Sequence, residues 1–210
     1  MNHRLPLFAF FAVLGSISAS ASADEASFGA RGPNVIVVDH LIGATRRTAA
    51  EVDSNDGFNT TEVGTSFGLY SVFATSAPNM RLGYHRFLSE SVSLGAGFQW
   101  ASNTGLGSSY TILGLHPRIG VAIPLSSSSA FWLRAGGGYT HWDHERDTTE
   151  VDWSVGGEAF YVYTPVPHFG WTLGPMVDAT LSATFKSRSG GETKLRRRTF
   201  GVTFGLLFDM

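Results

Sequence analysis

The chain contains no cysteine. It therefore has no disulfide framework and no thiol chemistry. It carries little charge: 15% of its residues are charged, and 15 basic against 17 acidic side chains leave a net charge of −2 at pH 7. That balance excludes a globally basic chain seeking nucleic acid. Beyond residue 23 no apolar run approaches the ~20 residues that a membrane-spanning helix requires. What the chain holds in quantity is glycine, at 25 residues, and aromatics, at 13%. That composition suits short, tightly packed strands with aromatic girdles.

The first residues have the layout of a secretory signal peptide. Arg4 makes a basic start, Leu5 to Ile17 is apolar, and residues 18–23 are small throughout. Ala21-Ser22-Ala23 is an A-x-A cleavage site followed by Asp24 and Glu25. The apolar run is too short to anchor the chain as a helix. The expected organisation is a signal peptide over 1–23 and a single domain over 24–210.

The end of the chain is the most regular part. Phe200, Val202, Phe204, Leu206 and Phe208 stand two apart, with Thr199, Gly201, Thr203 and Gly205 between them. A strand sends alternate side chains to opposite faces, so one face is apolar and the other small and polar. The pattern recurs in 34–44, 80–88, 92–101, 110–123, 130–142, 151–163 and 169–185. Lipid covering the apolar faces accounts for all of them at once. The expected fold is all-β: an antiparallel up-and-down transmembrane β-barrel of eight strands, with ten as the alternative. Short connections at Ser89–Ser91, 124–129 and Pro165–Pro167 alternate with longer polar ones at 45–61, 102–109, 143–150 and 186–195. Short periplasmic turns and long outer loops have that asymmetry. Segment 62–73 also reads as a strand and is assigned to an extended first outer loop, as a protruding hairpin. Pro117 and Pro175 fall inside strands, which requires a bulge or a position beyond the hydrocarbon band.

The chain resembles the small outer-membrane β-barrel proteins of Gram-negative bacteria. The resemblance is carried by the signal peptide, by MRLGYHRFL (80–88) turning through Ser89-Glu90-Ser91 into VSLGAGF (92–98), and by the terminal Phe200–Phe208 strand. It implies a place in the cell outer membrane, contact with outer-membrane lipids and lipopolysaccharide, and delivery by the barrel assembly machinery. In that family an aromatic residue usually ends the chain, whereas here Asp209 and Met210 follow Phe208. Such barrels serve many unrelated functions, so the resemblance fixes location better than activity.

Four chemistry-bearing groups stand out. By alternation against Ile119, Leu133, Ala159 and Val177, the side chains of Arg118, Arg134, Glu158 and Asp178 point inward. Buried charges must be paired, so these four are expected to form an interior network that plugs the lumen; a proton or ion path is the functional alternative. His141-Trp142-Asp143-His144-Glu145 crowds metal-ligand types, but an extended segment divides His141 and Asp143 from His144, so an ordinary polar rim is expected and no metal. Lys194, Arg196, Arg197 and Arg198 form a basic cluster on the outer side, joined by Lys186 and Arg188. They are candidate ligands for lipopolysaccharide phosphates, since arginine pairs well with phosphate. No His-x-Ser or Gly-x-Ser-x-Gly motif is present. No catalytic residue and no cofactor is expected.

The expected function is a non-enzymatic, structural or surface-interaction role for a monomeric outer-membrane barrel. A lipid A-modifying enzyme and a narrow channel are the alternatives.

Overall fold

The computed structural model describes residues 28–29, 34–51, 59–67, 70–71, 80–105, 108–144, 148–187 and 191–210. The expected signal peptide and its cleavage site lie outside them. The strands are β1 (Asn34–Glu51), β2 (Asn59–Phe67), β3 (Tyr70–Ser71), β4 (Arg81–Phe87), β5 (Val92–Gly105), β6 (Ser108–Ser126), β7 (Ser129–His144), β8 (Thr148–Val166), β9 (Phe169–Lys186) and β10 (Glu192–Asp209).

Strands β4 to β10 pair each with the next, all antiparallel. β1 pairs with β4 on one edge, and with β10 on the other from Val35↔Asp209 to Glu51↔Leu195. The sheet thus closes into a ring of eight antiparallel strands. Closure removes the free edges that an open sheet would present to lipid.

Alternation drives this arrangement residue by residue. β4 is buried and exposed in strict turn, with Arg81, His85 and Phe87 inward and Leu82, Tyr84 and Arg86 outward. In β10, Phe200 is 61% exposed on the outer wall and Thr203 is 1% exposed in the interior. Elsewhere the outer wall is carried by Leu94, Phe98, Leu113, Leu115, Ile119, Val155, Leu173 and Val177, all exposed.

The structure departs from the sequence expectation in three ways. First, the expected loops are largely strand. Residues 45–51 continue β1, β5 reaches Gly105, β7 reaches His144, and β10 begins at Glu192. β6 and β8 each have 19 residues. At a rise of about 3.3 Å and a tilt near 40°, such strands stand roughly 45–50 Å tall, against an apolar band of about 25 Å. The wall therefore continues well past the band. Polar strand ends look like loops in a sequence because their outward faces meet water.

Second, the part of 62–73 that the structure describes does not protrude as a separate hairpin. β2 lies along the upper half of β1, from Ile42↔Phe67 to Ala50↔Asn59, while β4 takes the lower half of the same edge, from Asn34↔Arg86 to Asp39↔Arg81. One position in the wall is thus filled by two pieces of chain, with β3 folded back on β2 at Phe67↔Tyr70.

Third, neither proline sits at a bulge or beyond the band. The β6–β7 ladder runs in constant register from Leu115↔Tyr139 to Arg118↔Gly136 and simply opens between them, at Pro117. Pro117 has no N–H to offer Gly137, which stands across from it. The Arg118 guanidinium fills the gap by donating to the carbonyl oxygens of Gly137 and, at 3.1 Å, of Pro117 itself. The β8–β9 ladder opens in the same manner between Glu158↔Met176 and Tyr161↔Leu173, at Pro175.

Candidate functional site: the filled lumen and its rims

The interior is layered. At the turn end, Phe28, Phe87, Trp132, Phe160, Val35, Val37, Val162 and Leu207 form an apolar floor. Phe28 precedes the first strand and enters the floor from below, with its ring 5.3 Å from those of both Phe87 and Trp132. The Trp132 indole N–H donates to Ser93 Oγ at 3.1 Å, so its one polar atom is satisfied.

Above the floor lies a layer of charge centred on Glu158. Its Oε2 forms an ion pair with Arg134 Nη2 at 2.8 Å, and its Oε1 stands 3.4 Å from Arg81 Nη1, 3.6 Å from Arg118 Nη2 and 3.7 Å from His40 Nε2. Arg134 also donates to Asp39 at 2.9 Å. Asp178 bridges Arg81 and Arg118 at 3.6 and 3.7 Å. Three guanidinium groups therefore face three carboxylates. Around it, His116 meets Gln99 at 3.1 Å and His85 meets Arg134 at 3.3 Å. The Arg134 guanidinium also lies 4.7 Å from the Trp132 ring and 4.6 Å from the Phe160 ring, which joins the charge layer to the floor.

Two backbone features make room for this. In β1 the register against β10 shifts between Val38 and Ile42, and His40 adopts φ 58° there. A bulge with a left-handed residue breaks the alternation, so the consecutive residues Asp39 and His40 are both buried. In β8, Gly156 leaves the space that Asp178 uses: a Cβ there would stand 1.8 Å from Asp178 Oδ1.

A second polar level sits nearer the loop end. Arg197 pairs with Glu150, and its Nη1 stands 3.4 Å from Asp152 Oδ2, which also accepts from Thr180 Oγ1 at 3.2 Å. Arg47 lies over the Trp142 ring at 5.8 Å, and Trp142 stacks on His144 at 5.9 Å. Trp142 therefore points into the barrel, not to the lipid interface.

The outer wall has two aromatic rings of residues separated by an apolar band. Toward the turns, Phe131 meets Tyr161, Tyr161 and Tyr163 meet Trp171, and Phe169 meets Phe208. Toward the loops, Tyr139 and Trp153 are in contact at 4.8 Å, with Trp100 exposed on β5. Between Phe131 and Tyr139 the outward positions of β7 are Leu133, Ala135 and Gly137. Eight residues of tilted strand rise roughly 20 Å, close to the height of a barrel's lipid-facing band.

Comparison with solved structures agrees with this layout. Neisserial surface protein A matches at a TM-score of 0.53 and 9% identity, over 85% of this chain and 97% of that one. The outer membrane protein OprG from Pseudomonas aeruginosa matches at 0.50 and 12%, over 85% and 97%. The outer membrane protein AlkL matches at 0.54 and 10%, over 94% and 97%. No family model matches the chain, and no characterised protein matches it in sequence. The chain has the fold of the small outer-membrane β-barrels. At these identities the likeness concerns the fold and leaves the role open.

Within this barrel the residues singled out from the sequence fall into distinct places. Arg118, Arg134, Glu158 and Asp178 all lie in the charge layer. Arg81 and His85 were equally accessible to the alternation argument, since they oppose Leu82 and Tyr84. Asp39 and His40 were not both accessible, because a bulge is invisible to alternation. The basic run Lys194, Arg196, Arg197, Arg198 is divided: Arg197 turns inward, while Lys194, Arg196 and Arg198 are exposed on the outer wall. Lys186 is exposed at the end of β9, and Arg188 lies outside the described residues. His141 meets Asp143 at 3.1 Å on the outer rim, apart from His144, and Glu145 lies outside the described residues. Among the described residues no group of three metal-ligand side chains comes together.

Proposed function

We propose that the protein is an integral outer-membrane barrel with a non-enzymatic, structural or surface-interaction role. The observation that carries this reading is the filled lumen. An aromatic floor and a layer of three arginines and three carboxylates occupy successive levels inside a ring of eight strands, a size whose interior side chains can fill. The barrel then acts through its outer wall and its loop end. Its partners are the surrounding lipids, lipopolysaccharide among them, and the assembly machinery that inserts it. It works as a monomer, after export and removal of residues 1–23.

The test has three arms. Cell fractionation should place the chain with outer-membrane markers, beginning at Asp24; recovery as a soluble periplasmic protein would sink the proposal. Planar-bilayer recordings should show no stable unitary conductance, and a reproducible one would mean a channel. Lipid A from cells with and without the protein should be chemically identical, and any new acylation state would mean an enzyme.

A further inference from the structure

Alternation sorts the charges on the outer wall of this barrel unevenly. On the described strands, the outward positions between the two aromatic rings are apolar or small. The first charges above the band on the β1–β10 seam are all positive. Arg46 of β1 stands directly across from Phe200, the last apolar outward residue of β10. Arg198 is across from Thr48, and Arg196 is across from Ala50. Lys194 continues the same face of β10, opposite Thr184 of β9. All four are exposed. Arg46, Arg196 and Arg198 have no carboxylate partner among the described residues.

The acidic side chains that the structure describes are elsewhere. Glu150 and Asp152 are turned inward and held by Arg197. Of the outward acids on the described strands, Asp143 is across the barrel with His141, and Glu192 is beyond the stripe, opposite Lys186. The run Arg196-Arg197-Arg198 thus has two functions by parity: the middle residue closes the interior, and its neighbours make the outer wall cationic. Below the stripe the apolar wall is continuous through Ile42, Phe200 and Val202, each exposed.

We infer that the β1–β10 seam is a binding stripe for a phosphorylated glycolipid of the outer leaflet, the chemistry of lipid A. Its acyl chains would lie on Ile42, Phe200 and Val202, and its phosphates on Arg46, Arg196 and Arg198, with Lys194 at the outer end. The charge is complementary, and the stripe sits where apolar wall gives way to polar wall, the level at which a bound lipid carries its phosphates. Guanidinium groups suit this ligand because they bind phosphate oxygens two at a time. The spacing suits more than one phosphate. Lys194 to Arg198 spans about 13 Å along one strand face. This inference rests on the outer-membrane reading and adds the lipid that the barrel holds.

The full chain is refolded into phosphatidylcholine vesicles, and binding of fluorescent lipid A is compared with binding of its dephosphorylated form and of phosphatidylglycerol. The wild type should bind lipid A at least tenfold more tightly than either. The triple variant R46Q/R196Q/R198Q should lose most of that preference while still inserting and becoming protease-resistant. R197Q alters the same sequence run but faces inward, so it should keep the preference within about twofold. A triple variant that binds lipid A as the wild type does would overturn the inference. So would equal binding of phosphatidylglycerol, which would mean a generic anionic contact, or R197Q losing the preference as fully as the triple variant. Failure of every form to insert would instead overturn the membrane reading itself, so the two failures are separable.

Discussion

Arg134 and Glu158 stand directly across the β7–β8 ladder from one another, and their side chains meet at 2.8 Å inside the barrel. Altering either one alone takes from the other its shortest ionic contact. Arg134 would keep only Asp39 and His85, and Glu158 would keep Arg81, Arg118 and His40.

Reversing the charge at Glu158 should therefore be severe. Glu158→Lys places a cation among three arginines, and breaking one side of a buried pair costs ~3–5 kcal/mol. The temperature at which the folded barrel loses its compact gel mobility should fall sharply. Glu158→Gln should fall less, because it keeps the shape and removes only the charge. An unchanged midpoint for Glu158→Lys would show that the network is solvated and not structural.

Gly156 should tolerate no side chain. Its Cβ would stand 1.8 Å from Asp178 Oδ1 and 2.8 Å from the Val177 carbonyl oxygen. Asp178 must then leave Arg81 and Arg118, or the strands must part. Overpacking of this kind costs ~1–3 kcal/mol. Gly191→Ala is the matched comparison, since nothing lies within 4 Å of its Cβ position. Equal unfolding midpoints for the two variants would refute the placement of Asp178.

Phe28 should stabilise the barrel although it belongs to no strand. It is 1% exposed and packs edge-on against Phe87 and Trp132. Phe→Ala at a buried site costs ~3–5 kcal/mol. Phe28→Ala should lower the unfolding midpoint while leaving insertion into vesicles intact. A midpoint equal to that of the wild type would mean that the segment does not seat in the floor.

The two faces of β10 can be separated by one pair of variants. Phe204 is on the outer wall beside Trp171, and Thr203 is buried in the interior. Phe204→Ser removes apolar surface from the lipid side, a loss of ~2 kcal/mol. Thr203→Ser removes one methyl group from the lumen. Folding yield in lipid vesicles should drop for the first and hold for the second; equal yields would reverse the faces.

The barrel was legible in the sequence because its physical cause is local. Lipid outside and a narrow lumen inside impose a period of two on every crossing strand, and that period can be read from β10 alone. The inward direction of Arg118, Arg134, Glu158 and Asp178 follows from the same rule. The ends of the strands were not legible, because above the band both faces of a strand are wet and the period fades. Residues 45–51 and 102–105 therefore resembled loops.

What only the tertiary structure decided is where parity breaks and which distant pieces meet. The bulge at His40 turns two consecutive side chains inward, which no alternation argument permits. The assignment of β2 and β4 to one edge of β1 depends on pairings far apart in the chain. Phe28 enters the floor through contacts with Phe87 and Trp132 that no local pattern announces. The sequence by itself determined the class of fold and the sign of each face, since both follow from side-chain spacing along one strand. The charge balance of the lumen required closure of the ring, because Asp39, Arg81, Arg118, Arg134, Glu158 and Asp178 stand on six different strands that only closure brings to one level.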